Sequence, residues 1–210
     1  MGKDASSSVR TFRDLVSAEE WAELTRAPAR PRAADEVLLR QGDPGTQVIA
    51  LISGLVKVVH VDRDGRQRLL AFRGPGEILG EMALQHGGGR LAYVRAMSAC
   101  TVAIHLATDF QDFVRRHRLA PRIAELVSLR LREQTEVHDG AVHERLALAL
   151  LRLFEISGER SFSVTRDELG QHIGVSRNYV TKALERLGSD LVRFDKNRIE
   201  VISPEGLRKI

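Results

Sequence analysis

Residues 164–187, VTRDELGQHIGVSRNYVTKALERL, are two short helices legible from their punctuation. Thr165 followed three residues later by Glu168 forms a capping box, which satisfies the free amides that open a helix. Leu169 and Ile173 lie one turn apart and face inward, and Gly174 supplies the positive φ that ends the helix. Ser176 is the expected N-cap of a second helix, whose buried stripe is Val180, Leu184 and Leu187. Its other side carries Arg177, Asn178, Thr181 and Lys182. Two short helices joined by a glycine turn, the second opening with polar and basic residues, have the geometry of a major-groove reader. The same pattern also describes an ordinary helical hairpin with a solvated charged face.

Working outward, LVRFDKNRIEVI at 191–202 reads as two β runs around a turn at Lys196-Asn197. On the other side, VHERLALALLRLFEI at 142–156 is rich in helix formers and follows His138-Asp139-Gly140, a break that suits a hinge and a domain boundary. Before it, residues 119–137 predict a long helix with Ile123, Val127, Leu131 and Gln134 along one stripe. That stripe packs either on its own domain or on the equivalent helix of a second subunit. Thr108 with Gln111 is the expected cap of a shorter helix, and Ser17 with Glu20 opens another whose Trp21 and Leu24 share a face. Residues 36–106 change character to short β-branched runs between turns such as GDPG, DRDG and GPGE, which predicts a barrel or jelly roll. The fold class expected is therefore α+β, divided as a β domain over 1–118, a long helix over 119–138 and a helical domain with a hairpin over 139–210.

Composition bounds the function. The 210 residues fit two modest domains, and 43% hydrophobic with 29% charged residues describes a globular chain. A net charge of +4 favours an anionic partner without naming one. A single cysteine, Cys100, excludes an intrachain disulfide or a four-cysteine cluster, and its strand AMSACTVAIHL places it as a small core residue rather than a redox sensor. The tail MGKDASSSVR lacks the apolar segment of a signal peptide, so a cytoplasmic protein without membrane contact is expected. The glycines at 87–89 are not followed by the lysine and hydroxyl residue of a phosphate loop, and no nucleophile with a base partner and no metal cluster stands out. The expectation is a non-enzyme that needs no metal or cofactor.

TRxELGxxxGxSRxxVxxxLxxL closely resembles the helix-turn-helix of the catabolite activator protein (Crp/Fnr) family of transcription regulators, in which the β-hairpin that follows forms a wing. The resemblance implies that Arg177 reads a guanine through O6 and N7, and that Asn178 and Lys182 also reach base edges. Asn178 stands where the best-known members carry glutamate, and its amide pairs better with adenine than with cytosine. Thr165, Arg166, Ser176 and Tyr179 match positions that touch phosphates, which set register without reading sequence. For Tyr179, partial packing against its own domain is the alternative.

The similarity extends over most of the chain: residues 36–106 resemble the family's cyclic-nucleotide-binding β-roll, and 119–137 its dimerisation helix. The signature is GEMALQHGGGRLAYVRA at 80–96. It implies that Gly80 and Glu81, followed by Met82, receive a ribose hydroxyl, and that Arg90, with Leu91 and Ala92, holds a cyclic phosphate. Gln134 and Thr135 fall where the family contacts the adenine. Leu91 departs from the pattern, because a serine or threonine there would donate a hydrogen bond to the phosphate. Losing a bond to a charged group costs about 1.5–3 kcal/mol, a weakening of roughly tenfold or more. Two alternatives stand: the pocket takes cyclic AMP or another small effector, or Glu81 and Arg90 pair with each other in a pocket whose ligand has changed or gone. A haem sensor would need axial ligands, and although His60, His86, His105 and His117 are available, none has a spacing or setting that marks it as one, His86 in the glycine loop being the best of a weak set. The function implied is a homodimeric regulator that binds a pseudo-palindromic site in double-stranded DNA and works with RNA polymerase. The rival is a sensor module acting through a protein partner.

Overall fold

A computed structural model describes residues 9–86 and 88–210; the start of the N-terminal tail and Gly87 lie outside the described residues. After a 3-10 turn at Phe12–Leu15 comes α1 (Ala18–Thr25), opened by the Ser17–Glu20 capping box. The strands β1 (Arg30–Arg32), β2 (Val37–Leu39), β3 (Gln47–Ser53), β4 (Val56–Val61), β5 (Gln67–Arg73) and β6 (Ile78–Leu79) precede the short helix α2 (Met82–His86). Two further strands follow, β7 (Tyr93–Ala96) and β8 (Cys100–Leu106). They assemble into two four-stranded antiparallel sheets, ordered β1-β8-β3-β6 and β2-β7-β4-β5. Alternation along the strands supplies the apolar filling between them, including Ile49, Leu51, Val56, Val94 and Val102. Cys100 belongs to that filling, and burial pushes its thiol above the ordinary value, as a core residue requires.

The helix α3 (Ala107–Arg116) begins two residues earlier than Thr108 would allow as a cap: its N-cap is Leu106, with no side-chain bond, because β8 runs directly into it. Then comes α4 (Ala120–Glu136). The stripe expected along α4 divides. Ile123 is buried with Leu126 against Phe110, Phe113 and the N-terminal segment of the same chain, whereas Leu131 is 65% exposed. A straight helix drifts relative to a seven-residue repeat, so Ile123 stays on its own domain while Leu131, two turns on, points away from it.

The helix α5 (Val142–Ser157) starts after Gly140, which takes φ +84°. It leads to β9 (Ser161–Ser163), α6 (Arg166–Ile173), α7 (Arg177–Leu187), β10 (Val192–Asp195), β11 (Arg198–Val201) and the short α8 (Pro204–Leu207). The β10–β11 hairpin turns at Lys196, with φ +46°, and β9 adds a third strand that the sequence did not announce. Its three residues, Ser161–Ser163, are too few to show a period.

The hairpin of β4 and β5 is shared between the halves of the molecule. On one face Val58, Leu70, Ala71 and Arg73 line a cavity. On the other, Leu69 and Phe72 join the core that contains Leu169, Ile173 and the buried stripes of α5 and α7. Burying such side chains contributes about 1.5–3 kcal/mol each, so α6 docks on β5 through an apolar contact. Lys57 on β4 pairs with Glu168 on α6 at its edge.

Candidate nucleic-acid interface and effector pocket

The helices α6 and α7 are built as their sequence requires. The Thr165 hydroxyl accepts from the Glu168 amide at 3.1 Å, and the Glu168 carboxylate accepts from the Thr165 amide at 2.8 Å. Burial would raise the Glu168 carboxyl, but the Lys57 ammonium and the Thr165 amide outweigh it and hold it below the ordinary range. Gly174 caps α6 at φ +71°, the left-handed region that favours glycine. On α7, Val180, Ala183 and Leu187 are buried and Leu184 partly so, while Arg177, Asn178, Tyr179 and Lys182 stand exposed on the opposite face. Arg177 is only loosely held, 3.7 Å from the Asp167 carboxylate in open solvent. Tyr179 is 59% exposed, so it does not pack into its domain.

One expectation is corrected here. Ser176 occupies the N-cap position of α7 with extended backbone, but its hydroxyl makes no capping bond. Ser176 is exposed, and its hydroxyl is left without a bond to the first amides of α7. Arg166 differs: its guanidinium carbon lies 4.4 Å from the centre of the Phe194 ring, which fixes it between α6 and the wing strand β10.

The second site is a cavity of about 390 Å³ between the inner face of β4–β5, the 79–83 and 90–94 segments and α4. Gly80, Glu81, Met82, Arg90, Leu91, Ala92 and Gln134 all line it. Thr135 does not; one residue further along a helix is a turn of about 100°, and its hydroxyl donates instead to the Leu131 carbonyl at 3.1 Å. Gly80 sits at φ +90°, and a Cβ there would collide with the Arg90 guanidinium. Arg90 is 6% exposed. One of its amino groups donates to the Gln47 carbonyl at 2.9 Å, and the other, Nη1, is buried without an acceptor among the described residues. Burial lowers the Arg90 pKa, against the opposing pull of Asp43 and Glu81. A buried guanidinium nitrogen lacking an acceptor is a place for an anion's oxygen.

Glu81, 2% exposed, does not pair with Arg90. It pairs with Arg130 of α4, whose guanidinium also donates to Glu77 at 2.9 Å and to the Ile78 carbonyl at 2.8 Å. Burial would depress Arg130, but Glu81 and Glu77 overcome it and raise its pKa. The Glu81–Arg90 pair, one of the two alternatives the sequence left open, does not form, because α4 brings a second arginine to Glu81. Sequence reading missed Arg130, since an arginine within LRLREQ is indistinguishable from a solvated helix face. Leu91 lines the cavity at 57% exposure, and its carbonyl is hydrogen-bonded to the His60 ring at 2.8 Å. His105 binds the Leu24 carbonyl and His117 the Glu23 carboxylate. These three histidines are thus engaged by protein groups, and the side chain of His86 lies outside what the structure describes. Among the described residues, no group of three or more His, Cys, Asp or Glu is placed to hold a metal ion.

Two exposed faces and a pocket of this design have counterparts in known proteins. Residues 30–117 match the cyclic nucleotide-binding domain family, and residues 144–210 match the Crp-like helix-turn-helix domain. The "Cyclic AMP receptor protein" of Thermus thermophilus is 33% identical over 196 residues, covering 90% of this chain and 91% of that one. The chain belongs to the Crp/Fnr family of transcription regulators. Within that family, the "cAMP-activated global transcriptional regulator CRP" of Salmonella typhimurium is 27% identical over 180 residues, 80% of this chain and 85% of its own. A solved Crp/Fnr-family regulator of Thermus thermophilus superposes with TM-score 0.68 at 25% identity, covering 87% of this chain and 97% of that one. The family's architecture, a cyclic-nucleotide-binding β-roll followed by helices and a Crp-like helix-turn-helix, is the architecture seen here. Its relatives are transcription regulators rather than enzymes. No helix among the described residues is long and apolar enough to cross a membrane.

Proposed function

We propose that this Crp/Fnr regulator acts in the cytoplasm as a homodimer on a pseudo-palindromic operator, with half-sites about 34–36 Å apart. The division is a sensor over 1–118, a dimerisation helix over 119–138 and a winged helix-turn-helix over 139–210. Arg177, Asn178 and Lys182 read base edges, and Thr165, Arg166, Ser176 and Tyr179 hold phosphates. The observation that carries this reading is α7 itself: one face is buried while Arg177, Asn178, Tyr179 and Lys182 stand in solvent with no strong internal bond. Leu131, open to solvent beside Gln134 on α4, supports a seam with the second subunit. RNA polymerase is the further partner, and neither catalysis nor a metal enters the mechanism.

In the same reading the cavity takes a small anionic effector, with cyclic AMP the first choice. Its oxygen would meet Nη1 of Arg90, and Gln134 would reach the far end. Leu91 favours a second reading, an operator binder that ignores cyclic AMP, because the cavity wall lacks a hydroxyl donor there. Selection of preferred sequences from random duplex DNA, with and without cyclic AMP, separates them. A two-fold symmetric motif that appears only with the nucleotide supports the first reading, and the same motif in both arms supports the second. No motif in either arm overturns operator binding and returns a protein partner to consideration.

A further inference from the structure

Seven charged side chains, three of them buried, three half-buried and the last, Glu136, exposed, form an alternating chain from the cavity to the helix that carries the DNA-binding domain. It begins at Glu81 in the cavity wall and passes through Arg130, which also binds Glu77 at 2.9 Å. Glu77 lies 3.6 Å from Nε of Arg73 on β5, and Nη1 of Arg73 lies 2.9 Å from Glu133 on α4. Glu133 in turn meets Arg152 of α5 at 3.9 Å, and Arg152 ends the chain on Glu136 at 2.7 Å. Arg152 also donates to the main-chain carbonyl of Glu133 at 3.3 Å.

Glu133 is thus the point where three elements meet: the pocket wall through Arg73, the long helix by its own backbone, and the first helix of the DNA-binding half through Arg152. Burial would raise its carboxyl, but Arg73 and Arg152 hold it ionised below the ordinary range. Four carboxylates share three guanidiniums, so every guanidinium bridges two carboxylates. Removing or diverting one member of a buried ion pair leaves its partner uncompensated in a medium that punishes bare charge. A change at Glu81 is therefore relieved by re-partnering along the chain, and the packed elements it ties together shift between discrete arrangements rather than flexing.

We infer that Glu133 is a positioning residue through which the state of the cavity reaches the helix-turn-helix domain, by way of Arg130, Arg73 and Arg152. The inference rests on the reading of the cavity as an effector pocket, but its test needs no ligand. The readout is amide hydrogen exchange of α6 (Arg166–Ile173) in the full-length protein, which follows the docking of the DNA-binding domain on β5. Glu81→Gln, which weakens the hold on Arg130, is expected to speed that exchange at least threefold. In an Arg152→Gln background the same substitution is expected to have no further effect, and Arg152→Lys, which keeps the charge, is expected to restore part of it. Should Arg152→Gln fail to fold, Glu133→Gln, of unchanged size, serves as the second arm. Equal acceleration in both backgrounds, or none from Glu81→Gln in the wild type, overturns the relay. A parallel titration with cyclic AMP keeps the two ideas apart: a protein that passes the cycle and ignores the nucleotide loses that effector and keeps the relay.

Discussion

The exposed face of α7 and the cavity of the β domain both use charged side chains, under opposite conditions. Arg177 and Lys182 on α7 stand in water, where a charge costs nothing to keep and binds whatever anion approaches. Glu81, Arg90 and Arg130 are withdrawn from water, where each charge must be answered within the protein. The first region can meet DNA without internal rearrangement. The second can accept a ligand only by completing an unfilled position, as at Arg90, or by re-partnering a filled one, as at Glu81. In the proposed reading, readout is local and sensing collective.

The strongest way to break this contrast is Arg130→Ala. It leaves Glu81 and Glu77 buried with their main counter-charge gone, and an uncompensated buried pair costs about 3–5 kcal/mol. Urea unfolding followed by circular dichroism should show a loss of that order, and a loss under 1 kcal/mol would mean that water already reaches the site. On the exposed side, Arg177→Ala should leave stability within about 0.5 kcal/mol while removing about 1–3 kcal/mol of discrimination at one operator base pair. Competition binding with single-base operator variants measures it, and unchanged base preference would remove Arg177 from the reading face.

A third substitution sharpens the account of the pocket. Leu91→Ser supplies the missing hydroxyl at a position with little packing, so cyclic AMP should bind roughly tenfold tighter by calorimetry. No change would place the phosphate elsewhere. The smallest expected effect concerns His172, which is 3% exposed, edge-on to Phe72 at 5.0 Å and lacks a partner at Nδ1. Burial lowers its pKa from 6.5 to about 4, with Glu133 opposing and Arg152 and Arg73 adding to the fall. The docked form therefore holds fewer protons than an undocked one below pH 6.5. Docking is fully supported above that value and weakens as pH falls toward 4, by roughly 1 kcal/mol between pH 7.5 and 6. Exchange of the α6 amides at the two pH values checks the sign, and His172→Phe should flatten the difference.

The contrast also explains what could be read in advance. The helices of the DNA-binding half announce themselves through neighbours three and four residues apart: Thr165 with Glu168, Leu169 with Ile173, Val180 with Leu184. Such pairs need no knowledge of the rest of the fold. Even there a residue type was a better guide to position than to bonding, since Ser176 sits where a cap belongs yet leaves its hydroxyl unused. In the pocket, Gly80, Glu81 and Arg90 were legible from a short signature, but their partners were not. Glu77, Arg130, Glu133 and Arg152 look in sequence like ordinary solvated charges, and only the packing of α4 between β5 and α5 turns them into a buried chain. Thr135, beside Gln134 in sequence, lies on another side of the helix and does not line this chain's own cavity.

The two-faced hairpin of β4 and β5 constrains how a lineage of such proteins can change. Leu70 and Ala71 shape the cavity, while their immediate neighbours Leu69 and Phe72 seat α6. A mutation that resizes the cavity from β5 shifts a backbone shared with the docking surface. If the cavity holds an effector as proposed, taste for a new small molecule and the strength of the regulatory response are inherited together.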